Sequence, residues 1–231
     1  MHVDAFWDLI EESHRQWPDP DLRLTWLEER LSTLPPTEIV DFQIHLDEAK
    51  RRTDTWLMWG AAYLVCDSLC SSDGFWYFQP WLVGLGRETF ERVVADPDEL
   101  INVPEIRRLA GRPTGDWSNA DWPGWESLNY SARVAYDKVT GEVEGIFDAM
   151  EARGHLSGSD PDPSGERWDF EDPAEAARRL PRLSTVFPLS DQSERDRRGQ
   201  EAFEQLLAER GQTEEEFWRE FGGGRGPSAT P

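Results

Sequence analysis

The side chains best suited to chemistry stand in a short polar segment between two apolar runs, CDSLCSSDG at residues 66–74. Cys66 and Cys70 are four residues apart, so on a helix they share a face, where two thiolates supply half of a tetrahedral zinc site. Zinc needs two further ligands, and the four histidines show no metal-binding spacing. We therefore expect no metal and no other cofactor, and we expect both cysteines to be buried as small apolar residues.

Asp73, at the end of this segment, has two interpretations. The structural one places it in the first turn of a helix that starts near Gly74, with Ser72 as the N-cap and the carboxylate at the positive end of the helix dipole. The functional one makes Asp73 a general acid or base that acts with Glu126. The catalytic candidates are completed by Tyr63 and Tyr130. Motifs of serine hydrolases, zinc proteases, P-loop proteins and dinucleotide-binding proteins are all missing from the sequence, so no reaction is indicated.

Tryptophan is the second chemical feature, with twelve residues in a chain of 231. Trp56, Trp59 and Trp81 stand in the apolar runs and are predicted to line a pocket. Trp122 and Trp125 belong to the aromatic-rich stretch WSNADWPGW. This stretch is interpreted either as a cluster that seals one side of the core or as an aromatic lid or binding platform.

The periodicity of apolar residues predicts an all-α fold, because strand patterns are nearly missing. Residues 50–54 are expected to form either a helix break or an exposed turn, and residues 154–173 a surface loop. A further irregular region is expected over 96–125. The predicted helices are an αα-hairpin up to residue 31, a helix from Thr37 to about Lys50, a buried Trp-rich pair over 56–65 and 74–86, helices over 87–95, 126–139 and 174–180, and an amphipathic pair over 190–221.

The composition divides the chain into three parts. Residues 1–185 are predicted to form one multi-helix domain, and residues 186–221 an acidic amphipathic helical extension. The last ten residues, GGGRGPSATP at 222–231, have a linker composition and are expected to be mobile. The extension is the expected surface for self-association or for a partner.

The net charge of −22 argues against nucleic acid or an anionic membrane surface as a partner, because both would repel the chain. The first residues, MHVDAFWDLIEE, lack the basic and apolar regions of a signal peptide, and no apolar run is long enough to span a membrane. We therefore expect a cytoplasmic protein whose partner is an unidentified protein or small molecule.

Five segments together resemble a bacterial family, the domain-of-unknown-function 4240 family. The resemblance covers roughly residues 1–150 and implies an α-helical bacterial domain without an established activity. The segments that carry it are FWDLIEE at 6–12, W-x-x-WGAAYLV at 56–65, C-S-x-DGF-x-YF-x-x-WL-x-x-LGR-x-x-F at 70–90, ADPDEL at 95–100 and E-x-L-x-Y-x-A-x-x-AY-x-x-x-TG at 126–141.

The chain departs from the family pattern at several positions. The resemblance implies Asp at the positions of Leu57 and Ser72, Arg at the position of Gln79, and Gly-Gly where Ser68 and Leu69 stand. If these family residues form a charged site, three of its charges are neutral in this chain. This favours a member that keeps the scaffold and has lost or changed the ancestral site.

Three functions are compatible with these patterns. The first is a non-catalytic binding or accessory protein that uses an aromatic-rich pocket or its C-terminal helices. The second is an enzyme for a small molecule or peptide, with carboxylates near Asp73 and Glu126. The third is an acidic, immunity-type inhibitor of a basic protein, whose binding would weaken with salt.

Overall fold

The computed structural model describes residues 1–17, 19–156, 161–189 and 192–220. Within these ranges the chain is helical and has no strand, which confirms the all-α prediction, and one isolated bridge joins Thr55 to Ser164. Short 3-10 helices at Pro97–Asn102, Thr114–Asp116 and Asn119–Asp121 lie in the region expected to be irregular. The α-helices are α1 Val3–Gln16, α2 Pro20–Leu31, α3 Pro36–Thr53, α4 Trp56–Val65, α5 Ser72–Gly84, α6 Arg87–Ala95, α7 Pro104–Arg107, α8 Leu128–Thr140, α9 Gly145–Glu151, α10 Pro173–Arg179, α11 Pro181–Val186, α12 Gln192–Arg210 and α13 Glu214–Glu220.

The hairpin of α1 and α2 depends on a cap at the start of α2. Asp19 accepts hydrogen bonds from the backbone N–H groups of Asp21 (2.9 Å) and Leu22 (3.1 Å). Pro20 at the first helical position has no N–H to satisfy, and its fixed φ favours the helix. The two helices pack against each other, and α2 also packs against α8.

Helix α3 is central, because it packs against α1, α5, α8 and α9. Its apolar face is fully buried, including Phe42 and Leu46. Beside this face runs a polar stripe of Gln43, Asp47 and Lys50, which are also buried. The expectation of a break or exposed turn from Lys50 is wrong, because α3 continues to Thr53 and leaves Lys50 only 8 % exposed.

Helices α4 and α5 form the predicted aromatic pair, with an irregular turn between them. Ser71 caps α5 by accepting a hydrogen bond from the N–H of Gly74 at 3.1 Å, so the prediction that Ser72 is the cap is wrong by one residue. Asp73 lies in the first turn of α5, as predicted. In the turn before it, Asp67 (φ 49°) and Ser68 (φ 71°) adopt the left-handed conformation that favours glycine.

The segment from 161 to 172, predicted to belong to a surface loop, buries an aromatic side chain. Trp168 is 8 % exposed and packs over Gly60 of α4, where a Cβ atom would collide with the indole ring. Its Nε1 donates a hydrogen bond to the backbone oxygen of Trp56 at 3.2 Å. The polar composition of the segment predicts an exposed loop and gives no sign of this contact. Residues 157–160 of the same predicted loop lie outside the described residues.

Other differences from the predicted elements are small. Helix α8 begins at Leu128 rather than near Glu126, and Gly141 ends it in the left-handed conformation. The sequence patterns do not predict helices α7, α9 and α11. Helix α11 is fixed by Asp98, which accepts hydrogen bonds from the N–H groups of Arg182 and Leu183 at 2.9 and 2.8 Å.

Contacts divide the chain into two units, Met1–Leu189 and Ser190–Pro231. In the second unit, the ring of Phe203 on α12 lies 5.4 Å from that of Phe217 and 5.9 Å from that of Trp218, both on α13. Phe221 and the tail at 222–231 lie outside the described residues. In the part of the chain that the structure describes, no helix is both long and apolar enough to cross a membrane.

Candidate functional site

The first unit contains a cleft of about 610 Å³ between α3, α5, α8 and α9. The polar stripe of α3 forms one wall and the first turns of α5 and α8 form another. Helix α9 contributes apolar side chains, among them Phe147 and Met150, and His155 follows shortly after it. The cleft therefore combines apolar surface with several titratable groups, which is the usual composition of a small-molecule site.

Lys50 is the most buried cation of the cleft. Its Nζ donates a hydrogen bond to Oδ1 of Asn129 at 2.6 Å and lies 4.7 Å from the ring centroid of Trp76. Burial lowers the pKa of the ammonium, and the nearby carboxylates of Asp47 and Asp54 partly offset that effect. We call Lys50, Asn129 and Trp76 the floor of the cleft.

Asp47 and His155 form a hydrogen-bonded pair in the same cleft. Nε2 of His155 lies 3.1 Å from Oδ2 of Asp47, and the two side chains are 12 % and 9 % exposed. Nε2 of Gln43 donates to the other carboxylate oxygen at 2.9 Å. The carboxylate is thus held from both sides and fixes the orientation of the imidazole, as in sites where histidine transfers protons.

Two carboxylates and two phenols meet at the opposite side of the cleft, which we call the acidic rim: Asp73, Tyr77, Glu126 and Tyr130. The Tyr130 hydroxyl donates to Oε1 of Glu126 at 3.4 Å. Burial and the negative charges of Glu126 and Asp73 raise the pKa of Tyr77, and burial and Glu126 raise that of Tyr130. The acidic rim adjoins the floor, because the ring of Trp76 lies 5.6 Å from that of Tyr77 and 6.1 Å from that of Tyr130.

The structure therefore brings together three of the four catalytic candidates, Asp73, Glu126 and Tyr130. Tyr63 lies elsewhere, in a shallow groove with Trp56 and Phe170, where its hydroxyl donates to Glu171 at 3.4 Å.

The five tryptophans predicted to bind a ligand are not among the described residues that line the cleft. Trp59 stacks between Trp56 and Phe75, at ring-centroid distances of 5.5 and 5.0 Å, and so consolidates α4 against α5. Trp81 packs on Phe78.

The tryptophans of the 117–125 stretch also pack within the protein. Trp122 packs on Trp117, with ring centroids 4.9 Å apart. Trp125 is buried beneath the guanidinium of Arg23, which lies 4.2 Å from the ring centroid. These contacts agree with the interpretation of a cluster that seals the core.

The cysteines are free and buried, as expected for small apolar residues. A hydrogen bond with Cys70, together with burial, raises the pKa of the Cys66 thiol. No group of three or more His, Cys, Asp or Glu side chains within the described ranges is arranged to hold a metal ion.

Sequence reasoning missed the residues that α3 and the segment after α9 bring to the cleft: Asp47, Lys50 and His155. Two weak signals were present. Gln43, Asp47 and Lys50 recur at helical spacing beside an apolar face, and Lys50 is one of only two lysines among 24 basic residues.

A family model described as "Protein of unknown function (DUF4240)" matches residues 1–138, which is more than half of the chain. The matched range includes the floor and the acidic rim but not α9 or His155. Comparison with curated proteins and with solved structures finds no match.

Proposed function

Because the chain belongs to the DUF4240 family, whose function is unknown, we propose a function from the cleft itself: the protein binds a small organic ammonium ligand there. The observation that carries this proposal is the convergence of Asp73 and Glu126, 53 positions apart in the chain, on the tyrosines beside Trp76. Carboxylates attract a cation, and the faces of tyrosine rings attract it further through their quadrupoles.

The charge of the cleft supports a cationic group in the ligand. Acidic side chains outnumber the basic side chains, Lys50 and Arg133, so a purely anionic ligand would be repelled. The acidic side chains that line the cleft are Asp47, Asp73, Glu126, Asp148 and Glu151.

Isothermal titration calorimetry with benzylamine and its neutral isostere benzyl alcohol tests this function. At pH 7 we expect the amine to bind about tenfold more tightly than the alcohol, because cation–π and ionic attraction together contribute about 1–2 kcal/mol. Glu126→Gln should lower the affinity for the amine, while Glu29→Gln, an exposed change on α2, should not. Equal binding of amine and alcohol would contradict the proposal.

A second candidate function is an enzyme, favoured by the pairing of Asp47 with His155. An imidazole oriented by a carboxylate serves as a general base when it faces a bound substrate. Once a ligand is identified, NMR spectra recorded during prolonged incubation would show whether it is converted. In an enzyme, His155→Gln should abolish conversion and leave ligand binding nearly unchanged. If the ligand stays unaltered, the enzyme hypothesis fails and only the binding function remains.

A further inference from the structure

The floor of the cleft offers hydrogen-bond donors in excess. An ammonium has three donor hydrogens, and Lys50 makes one hydrogen bond among the described residues, to Asn129. Nδ2 of Asn129 and Nε1 of Trp76 are buried without a hydrogen-bond partner. An unpaired buried donor is destabilising, so incompletely paired donors on Lys50 and on the two side chains it contacts indicate that an acceptor belongs there.

The residue type at position 50 strengthens this inference. Apart from Lys50 and Lys138, the 24 basic residues are arginines, and Lys138 is exposed on α8. An ammonium is a compact charge on a flexible stem, so in a narrow site it leaves room for a ligand. A larger, planar guanidinium would occupy that space itself. Lys50 is also 8 % exposed, so its charge is screened less by solvent than that of the exposed cations.

We propose that the floor is a carboxylate subsite, so that the ligand is a zwitterion: its ammonium lies at the acidic rim and its carboxylate meets Lys50, Asn129 and Trp76. This rests on the proposed function and adds the ligand class, amino acids and related amino carboxylates. A carboxylate fits better than a phosphate, because Asp47 and Asp54 lie near Lys50 and would repel a second negative charge.

The test is a comparison of ω-amino acids, from glycine to 8-aminooctanoate, with their primary amides. Each amide keeps the ammonium and loses the negative charge, and the series varies the distance between the two groups. By calorimetry at pH 7 we expect at least one amino acid to bind about tenfold more tightly than its amide. In Lys50→Met this advantage should fall to within about twofold, and Lys138→Met, the matched control, should keep it.

Sodium acetate provides a measurement that needs no variant, in case Lys50→Met does not fold. Acetate should compete with the tightest amino acid and leave benzylamine binding unaffected. The inference is overturned if amides bind as well as acids, or if Lys50→Met folds and keeps the preference; benzylamine binding would then still support the amine site. If neither benzylamine nor any amino acid binds, the proposed function and this inference fail together.

Discussion

Lys50 shows how a single residue acquires a role from its surroundings. The same ammonium on the surface would be screened by water, but burial against Trp76 and Asn129 lowers its pKa and strengthens its interaction with any nearby charge. Its partners come from α5 and α8, so no local sequence pattern could reveal them.

The pKa values of the two tyrosines in the acidic rim depend on the charges beside them. Burial raises the pKa values of Tyr77 and Tyr130, and Glu126 raises them further, because a negative carboxylate disfavours a negative phenolate. Glu126→Gln should therefore lower both pKa values. The chain has four tyrosines, so ring ¹³C labelling and NMR titration can follow each one. Tyr63 and Tyr136 are internal controls, and unchanged values at Tyr77 and Tyr130 would argue against the geometry of the rim.

Ser68 is held in the left-handed conformation, and its hydroxyl is buried without a hydrogen-bond partner. Glycine adopts this conformation without the strain that Cβ causes, so Ser68→Gly should stabilise the protein by about 1 kcal/mol. Urea unfolding measures the change. Ser68→Ala removes the hydroxyl but keeps Cβ, so it should stabilise the protein less than Ser68→Gly does. A destabilised glycine variant would show that the side chain makes a favourable contribution.

At the scale of elements, the contact of α4 with the segment 161–172 depends on the absence of a side chain at Gly60. Gly60→Ala would push Cβ into the buried ring of Trp168, and overpacking of this kind costs about 1–3 kcal/mol. Thermal or urea unfolding should show this loss. Gly115→Ala is the matched control, because no atom lies within 4 Å of the added Cβ. Equal stability of the two variants would mean that Trp168 does not pack over α4.

The sequence predicts those helices whose start and end depend on residues within or next to the helix. The continuous apolar run places α4, and the glycine after α8 marks its end. It misplaces the cap of α5, because Ser71 and Ser72 have the same capping preference. It misses the burial of Trp168, because that depends on contact with a glycine more than a hundred residues away.

The same distinction holds for the candidate site. Asp73 and Glu126 could be selected by residue type, since each stands near the start of a helix beside aromatic residues. Their convergence follows from how α5 and α8 pack, which periodicity does not specify. The charged sequence at 50–54 predicts a helix break or an exposed turn, and the burial of Lys50 contradicts that interpretation. Asp47 is not among the residues selected from the sequence.

At the scale of the whole molecule, the division into two units makes the first unit testable by itself. Residues 1–189 contain the hydrophobic core and the cleft, so this fragment should fold without the rest of the chain. By circular dichroism we expect its melting temperature to lie within about 3 °C of that of the full chain. A fragment that is unfolded at 25 °C would contradict the division.

The other whole-molecule hypotheses stay predictions. These are the domain boundaries near residues 185 and 221, self-association through 190–221, and an acidic inhibitor of a basic protein. The net charge of −22 is compatible with the last of these but also with a soluble surface that has no specific partner.

The most direct measurement of the central claim is an NMR titration of ring-labelled tyrosine with benzylamine. If the ligand enters the cleft, the signals of Tyr77 and Tyr130 shift with a common saturation curve, while Tyr63 in the separate groove and buried Tyr136 stay in place. Benzyl alcohol at the same concentrations should produce smaller shifts. Unchanged signals at both rim tyrosines, or a shift confined to Tyr63, would contradict an amine site in this cleft.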